Sequence, residues 1–175
     1  ASHNPPQYNG YKVYWSHGGQ VGPELAEKIF ESIRRADYFD IDTSSLASVN
    51  ESQMICTVSD LVDEAYYKKA LSLRLNPELM QERGANFRVV YTPLHGAGLV
   101  PVTEILKRAG LKKLRVVEEQ AQPDGDFPTV AAPNPEDPNA FTLALQLAKK
   151  TDAQLLLATD PDSDRLGVIC RSKGG

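Results

Sequence analysis

The 175-residue chain has 41% hydrophobic and 24% charged residues, which is typical of a globular protein with one or two domains. Its 19 basic and 23 acidic side chains leave a net charge of -4, so the charge balance gives no case for a nucleic-acid partner. No apolar run approaches the roughly 18 residues of a membrane span, and no signal-peptide pattern opens the chain. We therefore expect a cytoplasmic protein with no membrane partner.

The first 75 residues predict one strand and two helices. Residues 11–15 alternate as a strand does, and Pro23 opens a helix whose apolar side chains recur at every fourth position. Residues 37–56 are polar with weak periodicity, which indicates a linker. A second helix is predicted over 57–75, beginning with a Thr57/Asp60 capping box. Its apolar stripe consists of Val58, Leu61, Val62, Ala65 and Tyr66.

From residue 87 onwards, strand-like and helix-like segments alternate. The runs "FRVVY", "LRVVE" and "AQLLLA" are separated by the helical patterns "VPVTEILKRAG" and "PNAFTLALQLAKK", the second with Asp137 as N-cap and Pro138 at the first helical position. Such alternation predicts an α/β fold, with a mainly parallel or mixed sheet between helical layers.

Several further features are assigned to structure rather than chemistry. Cys56 and Cys170 have no metal-type spacing and are expected to pack as small apolar side chains without a disulfide. The "GAGLVP" segment resembles a dinucleotide fingerprint only superficially, because Pro101 replaces the third glycine, so a tight strand-to-helix turn is favoured. His95 and His17 are interpreted as structural.

Three aspartates, Asp160, Asp162 and Asp164, follow the last strand-like run directly, in "DPDSDR" (residues 160–165, the aspartate loop). Carboxylates this close repel one another unless a cation neutralises them, and hard divalent ions prefer oxygen ligands. An EF-hand is excluded because Arg165 and Arg171 occupy the positions of its Gly and Glu. A haloacid dehalogenase-type phosphatase is disfavoured because Asp164 stands where such enzymes carry Thr or Val. We therefore predict a cation site, beside which Arg165 is placed to clamp a phosphate.

The amino-terminal stretch "ASHNP" (residues 1–5, the serine loop) adds a second set of polar side chains. Ser2 is a candidate alcohol nucleophile with His3 next to it, and Lys12 follows in "NGYK". A Ser-His pair alone is weak evidence, but its combination with the aspartate loop favours a catalytic site. The chain opens within this loop and stops soon after an apolar run, which indicates a piece of a longer protein.

These stretches together resemble the α-D-phosphohexomutase family. The serine loop is similar to the family's phosphoserine loop, "NGYK" to the stretch after it, and "DPDSDR" to its metal loop. "VYTPLHGAG" and "PNPED" resemble the second domain of the phosphoglucomutase branch, which includes the related phosphopentomutases. The resemblance implies a four-domain enzyme, of which residues 1–50 are the end of domain 1 and residues 57–175 are domain 2, without domains 3 and 4.

The resemblance also implies roles for individual residues. Phosphorylated Ser2 would exchange its phosphate with a phosphosugar substrate, interconverting glucose 1-phosphate and glucose 6-phosphate through glucose 1,6-bisphosphate. Mg²⁺ would be held by Asp160, Asp162 and Asp164 together with the phosphoserine, and Arg165 would bind the transferring phosphate or the sugar. His3 and Lys12 are candidates for acid/base work, without a division of roles between them.

Alternatives remain open. A phosphopentomutase or phosphomannomutase would keep the same loops, and a non-catalytic module that binds a cation or phosphate is a more distant possibility. The 175-residue piece alone is expected to be inactive, because the missing domains would close over the sugar. Its incomplete domain 1 is also expected either to self-associate with another copy of the chain or to be poorly ordered.

Overall fold

The structure, a computed structural model, describes residues 3–4, 7–8, 10–37, 39, 58 and 60–172. Two compact units are present, one of residues 10–62 and the other of residues 1–9 together with 63–175. None of the helices among these described residues is long and apolar enough to cross a membrane.

The unit of residues 10–62 contains a tight turn and one helix. Helix α1 spans Pro23–Arg35, as predicted, and Pro23 stands at its first position. The predicted strand at 11–15 is wrong: within the described part of this unit, pairing is limited to a single antiparallel bridge between Tyr14 and Gln20 that closes the turn. Local alternation cannot supply the neighbouring strand that a ladder needs.

The unit that carries the aspartate loop is built on a four-stranded sheet of order β2-β1-β3-β4. The strands are β1 (Arg88–Thr92), β2 (Lys113–Val116), β3 (Leu155–Thr159) and β4 (Leu166–Cys170). β1 runs parallel to both β2 and β3, whereas β4 pairs antiparallel with β3 and places Thr159 opposite Leu166. The mixed α/β fold predicted from the alternating pattern is confirmed.

Helices pack on this sheet. Helix α5 (Thr142–Thr151) follows a 3₁₀ turn, Pro138–Phe141, and its Ala144 and Ala148 enter a core that also holds Val90, Leu156 and Phe141. The predicted N-cap is confirmed, because the Asp137 side chain accepts a hydrogen bond from the Asn139 amide at 2.9 Å. This core fixes β1 and β3 side by side.

Helix α4 (Leu99–Arg108) starts beside the Tyr91 hydroxyl, and helix α2 (Asp60–Ser72) is tied to it by Arg108. The Arg108 guanidinium donates to both Glu64 oxygens at 2.6 and 2.7 Å, donates to Glu104 at 2.6 Å, and lies 4.5 Å from the centre of the Tyr67 ring. The hydrogen bonds from Arg108 lower the pKa of Glu64. Bidentate pairing of this kind fixes the angle between the two helices.

Three details differ from the predictions. The apolar stripe of α2 is exposed, with Leu61 at 80%, and Tyr67 is the buried residue of this helix. Helix α3 (Pro77–Arg83) was not predicted, although "NPELMQER" places proline at its first turn. Cys170 is free but exposed rather than packed. Thr57 and Cys56 lie outside the described residues.

Candidate functional site

The aspartate loop joins β3 to β4 at the end of the sheet where parallel strands β1 and β3 terminate. Asp160 directly follows β3 and is fully buried, whereas Asp162 and Asp164 are exposed. The Asp160 carbonyl accepts a hydrogen bond from the Ser163 amide at 2.9 Å, which turns the loop, and Ser163 takes the left-handed conformation with φ 61°. The predicted placement of the aspartates at a strand's carboxyl end is therefore observed.

The three carboxylates lie together, each with an oxygen within 4.8 Å of the others. A single Mg²⁺ with ligands at about 2.1 Å holds oxygens no more than about 4.2 Å apart, so small rotations of the exposed side chains would bring this set onto one ion. All the donors are carboxylate oxygens, the ligand type that Mg²⁺ and Ca²⁺ prefer. The residues fit a hard divalent cation.

The buried carboxylate of Asp160 is held by hydrogen bonding. Its Oδ1 accepts a hydrogen bond from the Arg165 backbone amide at 3.0 Å. Its Oδ2 lies 4.0 Å from Nδ1 of His3, which is 32% exposed. A fully buried carboxylate needs such partners, and they also fix which way its oxygens point.

His3 comes from the serine loop, so this contact joins two stretches separated by more than 150 residues of sequence. The structure thus brings His3 and Asp160 together, two of the residues singled out from the sequence. Ser2, the predicted nucleophile, lies outside the described residues. Lys12 belongs to the other compact unit, in which it is exposed.

The Arg165 side chain pairs with Glu136 of the "PNPED" stretch. Nη1 of Arg165 donates to a Glu136 carboxylate oxygen at 2.9 Å, with Arg165 36% and Glu136 72% exposed. Such a pair contributes only about 0–1 kcal/mol to stability in water. Its effect is to hold the guanidinium beside the aspartate loop while leaving other N–H groups as donors.

Two buried hydroxyl groups lie at the carboxyl ends of β1 and β3, next to the aspartate loop. Tyr91 of β1 and Thr159 of β3 hydrogen-bond to each other at 2.8 Å. Burial raises the pKa of Tyr91, against a smaller opposing effect of this hydrogen bond. The pair ties together the ends of the two strands from which the surrounding loops depart.

His95 is structural, as predicted. It is buried, with Nδ1 3.1 Å from the Gln122 carbonyl and Nε2 2.8 Å from the Thr129 hydroxyl. The "GAG" of "GAGLVP" lies in the tight turn between β1 and α4, as predicted, and "LVP" begins α4. The residues missed by sequence reasoning are Glu136, Tyr91 and Thr159; Glu136 and Tyr91 gave a signal, through their places in "PNPED" and "VYTPLHGAG".

Comparisons with known proteins agree with this arrangement. A family profile described as "Phosphoglucomutase/phosphomannomutase, alpha/beta/alpha domain II" matches residues 64–174, and the corresponding domain I profile matches residues 1–39. The chain is 43% identical to a phosphoglucomutase from Staphylococcus saprophyticus, over 98% of this chain and 30% of that protein. It is 37% identical to a probable phosphomannomutase from Haemophilus influenzae, over 96% of this chain and 33% of that protein.

A solved structure is also similar. The crystal structure of a putative phosphomannomutase from Thermus thermophilus aligns with a TM-score of 0.70 and 26% identity, over 97% of this chain and 35% of that one. The chain thus spans about a third of the relatives that it matches. Because the domain II profile covers more than half of the chain, including the whole sheet and the aspartate loop, the chain belongs to the phosphoglucomutase/phosphomannomutase family.

Proposed function

We propose that this chain is the part of a phosphosugar mutase that carries the serine loop and the aspartate loop, and that the mutase interconverts glucose 1-phosphate and glucose 6-phosphate. The observation that carries the proposal is the 4.0 Å separation between His3 and Asp160. It sets His3, which follows Ser2 in the chain, beside a cluster of three carboxylates. Phosphoryl transfer needs a positioned nucleophile and charge neutralisation, the roles that we propose for Ser2 and for an ion held by this cluster.

Asp160, Asp162 and Asp164 would hold Mg²⁺. When bound, the ion would act as a Lewis acid that neutralises charge on the transferring phosphoryl group. The hydrogen bond from the Arg165 amide to Oδ1 of Asp160 supports this role, because it orients the buried carboxylate. Metal ligands are commonly oriented by such outer contacts.

The remaining chemistry falls to Ser2, His3 and Lys12. Phosphorylated Ser2 would give its phosphoryl group to a hydroxyl of the hexose phosphate, whose proton passes to a neighbouring base as the new P–O bond forms. The product is the hexose 1,6-bisphosphate, and the Ser2 oxygen leaves as its P–O bond breaks. After the bisphosphate has reoriented in the site, the Ser2 oxygen attacks its other phosphate and regains the phosphoryl group. The bond between that phosphorus and the sugar oxygen breaks, and the oxygen takes up a proton to become a hydroxyl of the product. His3 and Lys12 are the acid and base candidates.

Arg165 would bind a phosphate or the sugar through donors that Glu136 does not occupy. The Nη1 atom faces Glu136 at 2.9 Å, which leaves the second terminal nitrogen and Nε as donors. A guanidinium held by one carboxylate is oriented before the substrate arrives, so less side-chain freedom is lost on binding.

The proposal keeps the domain division predicted from the sequence, with residues 1–50 from domain 1 and residues 57–175 from domain 2. It includes self-association of the chain through its stretch from domain 1. Light scattering tests this: a dimer or larger species supports it, and a monomer in which amide hydrogen exchange shows that stretch to be well ordered contradicts it.

A chimaera tests the activity. The chain replaces the matching 30% of the S. saprophyticus phosphoglucomutase, and conversion of glucose 1-phosphate is measured with Mg²⁺ and a trace of glucose 1,6-bisphosphate. Ser2→Ala and Asp162→Asn chimaeras should lose turnover, and a Gly125→Ala chimaera, altered where the structure has open space, should keep it. Turnover that survives Ser2→Ala would contradict the proposed nucleophile.

Substrate choice is tested separately. Ribose 1-phosphate and mannose 1-phosphate are compared with glucose 1-phosphate in a protein of the relatives' length that contains this chain. Preference for ribose or mannose 1-phosphate would favour the phosphopentomutase or phosphomannomutase alternative. A folded protein that binds Mg²⁺ and turns over none of the three would favour a binding module.

A further inference from the structure

The turn between β1 and α4, "PLHGAG" (residues 93–98, the glycine turn), packs against the aspartate loop. Strands β1 and β3 are parallel neighbours, so the segments that leave their carboxyl ends meet. The Ala97 amide donates a hydrogen bond to the Pro161 carbonyl at 2.8 Å. The two segments are therefore joined at the backbone, between the first and second aspartates of the cluster.

Gly96 lies against the backbone of Pro161. A Cβ on Gly96 would come within 3.0 Å of the Pro161 Cα, and would lie 2.6 Å from its carbonyl oxygen. Both atoms belong to main chain that cannot rotate away. Any side chain at position 96 would therefore have to displace the aspartate loop itself.

Gly98 faces three hydroxyl groups. A Cβ there would lie 2.5 Å from the Ser163 Oγ and 2.8 Å from the Thr159 Oγ1, and would also contact the Tyr91 hydroxyl. These atoms are side-chain ends. The Ser163 Oγ is buried and has no hydrogen-bond partner among the described residues. A methyl group at position 98 would press on the aspartate loop through Ser163.

The residues that meet the glycine turn are those that alternate with the aspartates. Pro161 contacts Gly96 and Ser163 contacts Gly98, whereas Asp160, Asp162 and Asp164 converge on one another. Pro161 and Ser163 thus provide the contacts through which the aspartate loop packs on the glycine turn. The residues that pack on the glycine turn alternate with the residues that carry the carboxylates, and this alternation explains why the three carboxylates gather on one side of the loop.

The glycine turn is itself held in an unfavourable conformation. Leu94 and His95 both take positive φ, 47° and 61°, although neither is glycine, and both are buried. The His95 amide donates to the Gln120 carbonyl at 2.9 Å, the Leu94 amide donates to the Thr92 hydroxyl at 3.1 Å, and the His95 ring is held at both nitrogens. Strain of about 1–3 kcal/mol per residue persists only where the surroundings fix it, and here they give a rigid support.

We propose that Gly96 and Gly98 are positioning residues for the carboxylate cluster, because their lack of side chains lets Pro161 and Ser163 seat against the glycine turn and so sets the spacing of the three aspartates. The ion that the cluster would bind rests on the proposed function; the positioning itself does not. Gly96 should matter more than Gly98, because its neighbours are backbone atoms.

The test compares Gly96→Ala and Gly98→Ala with Gly125→Ala, a loop glycine whose added Cβ meets nothing within 4 Å. Mg²⁺ affinity is measured by calorimetry, thermal unfolding is followed in EDTA, and hydrogen exchange is measured at the Ala97 and Arg165 amides, which donate to Pro161 and Asp160. We expect Gly96→Ala to weaken Mg²⁺ binding about 10- to 100-fold. Gly98→Ala should weaken it less, and Gly125→Ala should not change it.

A second variant separates positioning from general damage. Of the three hydroxyls that the new methyl of Gly98→Ala meets, adding Ser163→Gly removes the one that belongs to the aspartate loop, and glycine accepts the positive φ at 163. The hydroxyls of Tyr91 and Thr159 remain, so partial recovery is expected. Recovered affinity in the double variant would support the inference. Exchange at Ala97 and Arg165 should rise in Gly96→Ala while exchange in the amides of β1 and β3 stays unchanged.

The outcomes distinguish the two proposals. If the unmodified protein binds no Mg²⁺, the metal part of the proposed function falls, and amide exchange alone decides the positioning inference. Unchanged exchange at Ala97 and Arg165 in folded Gly96→Ala would overturn the inference, as would Mg²⁺ affinity equal to that of Gly125→Ala. If Gly96→Ala does not fold, Gly98→Ala decides: exchange at Arg165 and Mg²⁺ affinity equal to those of Gly125→Ala would overturn the inference, whereas a change that Ser163→Gly partly reverses would support it.

Discussion

Removing the hydrogen bond between Tyr91 and Thr159 should destabilise the protein by an amount that depends on whether one or both hydroxyls are removed. The two side chains are 0% and 5% exposed, and their oxygens are 2.8 Å apart. Tyr91→Phe leaves the Thr159 hydroxyl buried without this partner, which costs about 1–3 kcal/mol. Thr159→Val leaves the Tyr91 hydroxyl in the same position, at a similar cost.

The double variant is the decisive one. With both hydroxyls gone no polar atom of the pair is stranded, so the double variant should lose about 1–2 kcal/mol less than the sum of the single variants. Urea unfolding of the four proteins in EDTA measures this coupling free energy. Additivity to within about 0.5 kcal/mol would refute the reasoning, because each hydroxyl must then find another partner when the first is removed.

The remaining predictions concern pH, the Arg165 pair and the core. A hydrogen bond from Arg171, aided by the charges of Arg171 and Arg88, lowers the pKa of Asp152 below its usual 3.8. The contribution of the Asp152 carboxylate to stability is therefore complete above pH 3.8, and it is lost as the pH falls through the lower pKa of the folded state. Urea titrations at acid pH should therefore show a shallower loss of stability below about pH 4 in Asp152→Asn, and an unchanged slope would contradict this. Glu136→Gln should change the unfolding free energy by no more than about 1 kcal/mol, yet raise the B-factors of the Arg165 side chain in a crystal structure; a larger loss of stability would argue against a surface pair. Leu156→Ala should cost about 2–5 kcal/mol by urea unfolding, since the residue is 4% exposed in the core, and a smaller loss would indicate that the core closes over the space.

Local chemistry made the aspartate loop predictable. An apolar run followed by alternating carboxylates indicates a buried strand, and it places mutually repelling charges at the end of that strand. Both signals lie within about ten residues of sequence. The helices beginning at Pro23 and Pro138 are likewise marked by proline at the first position. Features encoded in a short stretch of sequence could thus be predicted from it, although helix α3, which Pro77 opens in the same way, was missed.

Features that depend on distant partners could not. The strand predicted at 11–15 needs a neighbour that its own alternation does not specify, and within the described residues its pairing is a single bridge from Tyr14 to Gln20. Glu136 pairs with Arg165, which lies 29 residues later in the sequence, and the local sequence around neither residue identifies the other as its partner. Periodicity predicts that α2 has an apolar face, but it does not reveal whether another element covers that face, and Leu61 on it is exposed.

The glycine turn shows why topology decides the site. Sequence reasoning could assign "GAG" to a tight turn after β1, and "DPDSDR" to a loop after another strand, but it could not order those strands. Once β1 and β3 are parallel neighbours, both segments leave the same end of the sheet, and the Pro161 backbone and the Ser163 hydroxyl then leave no room for a Cβ at Gly96 or Gly98. The two glycines are then required by the meeting of the segments, and the arrangement of the carboxylates becomes a consequence of strand order as much as of the aspartates themselves.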